Sequence, residues 1–419
     1  MKAALIVTAM LALVACGQVA VPASAGDYKL YEATSTPKSN QVAVIDTRAQ
    51  KADRALPFGT ASPDWRHLYS VDGSRLVDTD PLTGATLNTM PLPSGYWALP
   101  PATMSGIPGG LSQNGRWLVL EAWDQGAQGS TPTATHMLVI DSSFTEQPVR
   151  VELKGFIEFD AISNDGQRLY LVEYTGGGGY RVRVYDLTVS RLDPQVVIDK
   201  SDGNDAMAGV RLMGVPSRSG EWQYSVYARQ NDGPFIHALN LDGNVSACIF
   251  LPGPGYAKSG DAFRWSLALS PDGSELYATN GGLGIVATVS VGGNAWPNLT
   301  RTAHIATTSA AASGLIPDVQ AKELGTNSSV LTPDGGTLVT AGASGIAWVD
   351  TTSLSVRRTA LDGWRVWSLG LSPDGQQLYV VSDSGMIAQV SMKSGAIESR
   401  FNPGAGYPIG LIRVSAPGV

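Results

Sequence analysis

Along most of the chain, short apolar runs alternate residue by residue with small or polar positions, and polar turn clusters cut the runs apart. Four stretches show the pattern at its cleanest: "LGLSPDGQQLYVV" (369–381), "LALSPDGSELYAT" (267–279), "SVLTPDGGTLVTA" (329–341) and "DAISNDGQRLYLV" (160–172). A period of two predicts half-buried strands rather than helices. In the turn, Pro fixes one φ, Asp bonds the backbone ahead of it, and Gly supplies a positive φ without steric cost. Each phrase therefore reads as strand, tight turn, strand.

Looser copies complete a series. They are "TASPDWRHLYSV" (60–71), with Trp65 where the others have Gly, "GGLSQNGRWLVL" (109–120) and "GVPSRSGEWQYSV" (214–226). The turn Ser or Thr falls at 62, 112, 163, 217, 270, 332 and 372, giving spacings of 50, 51, 54, 53, 62 and 40 residues. Between copies lies a second strand–polar turn–strand phrase, as in "RLVDTDPLTGATLNTM" (75–90) and "IAWVDTTSLSVRRTAL" (346–361). A repeat of this length that yields four strands and no helix cannot bury both faces alone. Packed face to face around an axis, such units bury nearly everything except short edges. The prediction is an all-β fold, a β-propeller of four-stranded blades.

Seven complete units run from about Phe58 to Phe401. Three strand-like stretches remain in front, "YKLYEATS" (28–35), "VAVIDTR" (42–48) and "RALPF" (54–58), and one behind, "PIGLIRVS" (408–415). Three and one make a closing blade shared by the two termini, hence eight blades. Seven is the alternative if the degenerate unit at Ser217 or the terminal strands are irregular.

The first residues follow another pattern. "MKAALIVTAMLALVACGQVAVPASAGD" has Lys2, an apolar run and then Cys16 within Leu13-Val14-Ala15-Cys16, which resembles a bacterial lipobox. This predicts a signal peptide over 1–15, acylation at Cys16, a tether over 16–26 and one propeller domain over 27–419, outside the cytoplasm and anchored to a bacterial membrane by lipid only. Ala23-Ser24-Ala25 offers ordinary signal-peptidase cleavage instead, which would give a secreted or periplasmic soluble protein. Under either reading Cys248 lacks a disulfide partner and reads as a buried thiol on an outer strand.

Charge adds exclusions. The chain carries a net −7, with 16% charged residues and no basic runs, which argues against nucleic acid as a partner. The four His and two Cys show no zinc spacing. Nothing in the sequence points to a cofactor or to an oligomer.

The combined phrase "SPDGxxLYV" followed by "VxVID" resembles the YVTN-type β-propeller repeat family, related to lactonase-like and quinoprotein-like propellers. The resemblance spans about 58–415 and rests on turn and strand residues. It implies the fold and an extracytoplasmic setting, but no particular activity.

Propeller ligands usually bind where connections reach the innermost strands at one mouth of the channel. The corresponding segments gather Trp97, Glu158, Asp160, Arg211, Arg264, Trp265, Arg365, Trp367 and Tyr407. Aromatic faces beside guanidinium groups suit a planar or anionic ligand, a carbohydrate or a protein partner. The same residues also serve as wedges and struts between blades. A metal-dependent lactonase would need several channel-facing carboxylates. Glu158 and Asp160 qualify, but no other inner strand offers an evident partner. His67, His136, His237 and His304 occupy unrelated parts of their repeats, and no Gly-x-Ser-x-Gly elbow occurs. A binding or scaffold protein is therefore expected, with a channel-mouth hydrolase or oxidoreductase as the alternative. The loop "DKSDGND" (199–205) is dense in oxygen donors and reads as a calcium loop or a solvated acidic loop. The run 306–328 reads as a surface insertion or a lid.

Overall fold

The computed structural model describes residues 27–124, 131–176, 178–199, 207–293, 296–305 and 328–416. The signal segment, Cys16 and the tether lie outside these residues, as do most of the 199–205 loop and nearly all of the 306–328 run.

Among the described residues the strands form eight sheets. Blade 1 joins Lys29–Ser35, Asn40–Asp46 and Lys51–Pro57 to the C-terminal Tyr407–Ser415. It is the predicted clasp, with Lys29 paired to Ser415 and Ser35 to Tyr407. Blade 2 holds Thr60–Ala61, Leu68–Asp72, Arg75–Thr79 and Thr86–Pro91. Blade 3 has Trp117–Trp123, Ala134–Asp141 and Val149–Lys154. Blade 4 has Ile157–Ile162, Arg168–Gly176, Gly179–Asp186 and Arg191–Val196. Blade 5 has Val210–Pro216, Trp222–Ala228, Phe235–Asn240 and Val245–Phe250. Blades 6, 7 and 8 begin at Ser266–Leu269, Ser329–Leu331 and Val366–Leu371 and follow the same antiparallel order.

The core shows that the ring closes. A buried apolar cluster occupies each junction between successive blades, from Tyr31, Val44, Trp65 and Leu68 between blades 1 and 2 to Leu30, Ile45, Tyr379 and Leu411 between blades 8 and 1. Alternation supplies both faces of every sheet, so each blade buries one apolar face against each neighbour.

The repeated turn has a specific hydrogen-bond logic. Ser372 Oγ donates to Asp374 at 2.6 Å and accepts from the Gln377 amide at 2.9 Å, while the Gly375 amide donates to the Ser372 carbonyl at 2.8 Å. Ser163, Ser270 and Thr332 repeat the scheme. The Gly also abuts the preceding blade's turn. A Cβ on Gly375 would lie 2.8 Å from Pro333, and one on Gly166 only 2.2 Å from Trp117. Trp65 takes this position at φ 60°. Its neighbour is the clasp blade, which has no such turn, so the indole has room to pack edge-on against Tyr31 at 4.8 Å, under Arg413.

Two departures from the four-strand plan matter for the site. The innermost strand expected around 109–112 in blade 3 is reduced to isolated bridges, Leu111 to Leu118 and Ala98 to Glu121. Blades 4 and 5 each gain a short extra strand, Met207–Ala208 beside Tyr180 and Ile198–Asp199 parallel to Val245–Ser246. The unit at Ser217, expected to be the weakest, keeps its turn and all four strands.

Candidate functional site

Because blade 3 lacks a continuous innermost strand, the chain before it is free to travel. The loop 98–109 folds back through a Pro101–Pro108 bridge and reaches past blade 4 to blade 5. There Thr103 bridges Met213, and the Met104 amide donates to the Leu212 carbonyl at 2.8 Å. The loop thus covers the free edge of blade 5's innermost strand. Beneath it, blades 3, 4 and 5 enclose a cavity of about 690 Å³.

Two bulges aim the polar groups. In blade 4 the register shifts between Phe159 and Ala161, and in blade 5 between Arg211 and Met213. A bulge inserts an unpaired residue and turns its side chain away from the strand's alternation. Asp160 sits on the first bulge and is buried. Arg211, at the second, places Nη1 3.4 Å from Asp160 Oδ1 and lines the cavity.

Glu121 enters from blade 3 and is only 1% exposed. Its Oε2 accepts the Phe159 amide at 3.0 Å, while Oε1 has no hydrogen-bond partner among the described residues. Burial pushes its carboxyl up to about 8, against the pull of the Phe159 amide. Glu121 is thus predominantly a neutral, hydrogen-bond-donating acid at neutral pH. Glu158, on the cavity rim, accepts from the Tyr174 hydroxyl at 2.6 Å. Burial, and after it that bond, hold the Tyr174 phenol above its ordinary range.

The walls are aromatic. Phe159, Tyr174, Tyr180, Tyr227 and Tyr256 line the cavity. Tyr180 stacks on Tyr227 at 5.3 Å, and both phenols are raised by burial. Outside the rim, Tyr174 stacks on Phe156 at 5.3 Å and Phe156 leans on Trp123 at 6.1 Å, making an aromatic shelf that leads inward.

Of the residues singled out in the sequence, the structure brings together Glu158, Asp160 and Arg211. It places the others elsewhere. Trp97 is buried between blades 2 and 3, its indole N–H bonded to the Pro93 carbonyl. Trp265 is a fully buried wedge between blades 5 and 6, and Trp367 is buried with its indole N–H on the Ile409 carbonyl at 2.9 Å. Tyr407 stands half exposed, edge-on to Trp367 at 6.2 Å. Arg264 pairs with Asp261 and donates to the Gly342 carbonyl of blade 7, and Arg365 pairs with Asp383.

Sequence reasoning missed Glu121, because it looked for carboxylates only on innermost strands. A signal was present. Nine residues after each turn Ser or Thr stand Val71, Glu121, Val172, Val226, Thr279, Ala341 and Val381, so one carboxylate interrupts an otherwise uncharged, mostly apolar column. In the sequence His237 is one of four histidines in unrelated parts of their repeats, and Cys248 a buried thiol on an outer strand. They are direct cross-strand partners in blade 5, and burial pushes the His237 imidazole below its ordinary range.

No family model matches the chain, and no curated protein matches it. Solved structures do. Dihydro-heme d1 dehydrogenase NirN in complex with DHE is similar over 94% of this chain and 75% of its own, at 13% identity and a TM-score of 0.55. The Pseudomonas aeruginosa periplasmic gluconolactonase PpgL is 18% identical over 92% of this chain and 98% of its own, with a TM-score of 0.43. Kuenenia stuttgartiensis hydrazine synthase is 15% identical over 81% and 99%, with a TM-score of 0.42. At these identities, the likeness to NirN shows the fold alone. The chain is an eight-bladed β-propeller.

Proposed function

We propose that the protein is a binding propeller, acting outside the cytoplasm, whose ligand is a neutral sugar-sized molecule held in the cavity between blades 3, 4 and 5. The observation that carries this reading is the buried Glu121 carboxyl, whose Oε1 has no partner among the described residues, in a cavity walled by tyrosines. A buried polar atom without a partner costs roughly 1–3 kcal/mol, which a ligand hydroxyl would relieve. Glu158 offers acceptors at the rim, and the shelf of Trp123, Phe156 and Tyr174 suits the C–H face of a ring. Arg211 is already turned toward Asp160, and Glu158 adds negative charge, so the site disfavours anions. The location is part of the proposal and follows from the signal segment and Cys16.

Thermal-shift and calorimetric titration with neutral saccharides, amino sugars and sugar acids tests this. Neutral saccharides should bind, and Glu121→Ala and Tyr174→Ala should each weaken them. Tightest binding by sugar acids, or neutral binding indifferent to both variants, would overturn the reading. A second reading, hydrolysis in the same cavity, is favoured by one feature: a carboxyl kept protonated up to about 8 facing a cavity that also holds Glu158. Turnover of chromogenic glycosides or lactones that is lost in Glu121→Gln would select it.

A further inference from the structure

Behind the aromatic wall of the cavity, four donor groups from four short strands converge. His237 and Cys248 face each other across adjacent strands of blade 5, with Nδ1 and Sγ 3.9 Å apart. Asp199, on the extra strand Ile198–Asp199, is held in register beside Ser246. One donor atom from each of Asp199, His237 and Cys248 lies within 4.8 Å of the other two, and all three residues are buried. Met207, on the extra strand beside Tyr180, brings its Sδ to 3.8 Å from Cys248 Sγ. The His237 Nε2 is also buried and has no hydrogen-bond partner among the described residues.

We infer that Asp199, His237 and Cys248 form a site for a divalent transition-metal ion of zinc type, with the Met207 thioether against its open side. A tetrahedral zinc ion with bonds of about 2.0–2.3 Å sets its donors roughly 3.3–3.8 Å apart. For one sulfur and one nitrogen that spacing is about 3.5 Å, so the 3.9 Å sulfur–nitrogen separation and the carboxylate both come into place by small rotamer shifts. The imidazole and thiolate donors disfavour calcium, which takes oxygen ligands, and favour a zinc-type ion. Charge selects a divalent ion: a thiolate and a carboxylate together neutralise it, as a desolvated site requires. Binding would release the thiol proton, because only the thiolate ligates.

The placement indicates a structural role. The ligands tie the Ile198–Asp199 strand to blade 5, and Met207 adjoins Ala208 and Gly209, which line the cavity. Tyr227, which also lines the cavity, stands edge-on to His237 at 6.3 Å and screens the site from it. A closed site of this kind stabilises the fold on which the cavity depends.

Titration of the metal-stripped full chain with Co²⁺, followed by displacement with Zn²⁺, tests the inference. One equivalent of Co²⁺ should produce a thiolate-to-cobalt charge-transfer band in the near ultraviolet, and Zn²⁺ should abolish the band. Zn²⁺ should also raise the unfolding temperature. Cys248→Ser should lose the band, and His237→Gln should lose it or weaken Co²⁺ binding more than about tenfold. Circular dichroism of both variants shows whether the propeller has formed, and one folded variant suffices. A wild-type protein that shows no band, or a band that persists in either folded variant with unchanged affinity, would overturn the site. Preference for Cu⁺ over Zn²⁺ in chelator competition would overturn the divalent assignment.

Discussion

Blades 6 to 8 and blades 3 to 5 are built on one repeat, yet they differ in what they bury. In blades 6 to 8 the interior is neutral among the described residues apart from Asp350, which pairs with Arg357. Leu276, Ala278, Leu338, Val339, Leu378 and Val380 are fully buried, and the inner strands are stitched by uncharged bonds such as Ser266 to Ser329 at 2.8 Å and the Leu411 amide to Ser368 at 2.8 Å. Other ion pairs there stay at the surface, as with Arg264–Asp261 and Arg365–Asp383. In blades 3 to 5 one innermost strand is broken, a loop crosses between non-adjacent blades, and Glu121, Asp160, Asp199 and His237 are buried. Neutral packing can be repeated around a ring at no extra cost. Buried ionisable groups cost desolvation, and their concentration on one side marks the side adapted to hold something.

The sharpest way to break this contrast is to remove the guanidinium from the buried pair. Arg211→Ala leaves Asp160, whose side chain is 1% exposed, without its cation. Breaking a buried pair from one side costs about 3–5 kcal/mol, whereas replacing both partners costs far less. Urea unfolding should therefore show a large loss for Arg211→Ala and a partial recovery in Arg211→Ala with Asp160→Asn. A loss below about 1 kcal/mol for the single variant would mean that water reaches Asp160 and that the two halves differ less than described.

The pH dependence of stability separates two buried acids that the repeat does not contain. Burial pushes both Glu32, in the clasp blade, and Glu121, in the cavity, up to about 8 from an ordinary 4.5. The folded state holds these protons more tightly than the unfolded state. Their contribution is therefore complete below about pH 4.5 and is lost as the pH rises through about 8. The unfolding temperature should fall between pH 5 and pH 8, and Glu32→Gln and Glu121→Gln should each flatten part of that slope. Saturating saccharide should alter only the part that Glu121→Gln removes. A flat profile in the wild type would show that neither carboxyl is held neutral.

How much of this was legible in the sequence differs between the same two regions. The turn phrase, the four-strand period and the shared closing blade follow from local chemistry: alternation, Asp on the turn backbone and Gly at positive φ all act within a few residues. Even Trp65 was visible as an exception, although its reason, a neighbouring blade without the turn, was not. The site was less legible because its parts meet through departures from the repeat. Glu158, Asp160 and Arg211 were found from their position ahead of the inner strands. Glu121 stands out only when the repeats are aligned column by column, and the crossing loop depends on a strand that fails to form. The tryptophans carried both readings in the sequence because size and position suit a wedge and a binding platform equally, and the burial of Trp97, Trp265 and Trp367 suits the wedge. His237 and Cys248 lie eleven residues apart in the sequence, and only the hairpin register makes them opposite partners.

The smallest expected effect completes the contrast. Arg264 and Arg365 stand just ahead of inner strands in the regular half, in the same sequence context that made Arg211 a candidate. Their surroundings differ. Arg264 lies 3.4 Å from Asp261, whose side chain is 44% exposed, and Arg365 lies 3.3 Å from Asp383 while itself 61% exposed. Pairs open to solvent and salt contribute about 0–1 kcal/mol each, and neither Arg lines the cavity between blades 3 and 5. The double variant Arg264→Ala with Arg365→Ala should accordingly unfold within about 1–2 kcal/mol of the wild type and bind saccharide with unchanged affinity. The bond from Arg264 to the Gly342 carbonyl crosses from blade 6 to blade 7, so the Arg264 substitution should account for the larger share of any measurable loss. If the double variant instead lost binding, the ligand would engage the opposite side of the ring, and the buried charges of blades 3 to 5 would be a structural peculiarity rather than a site.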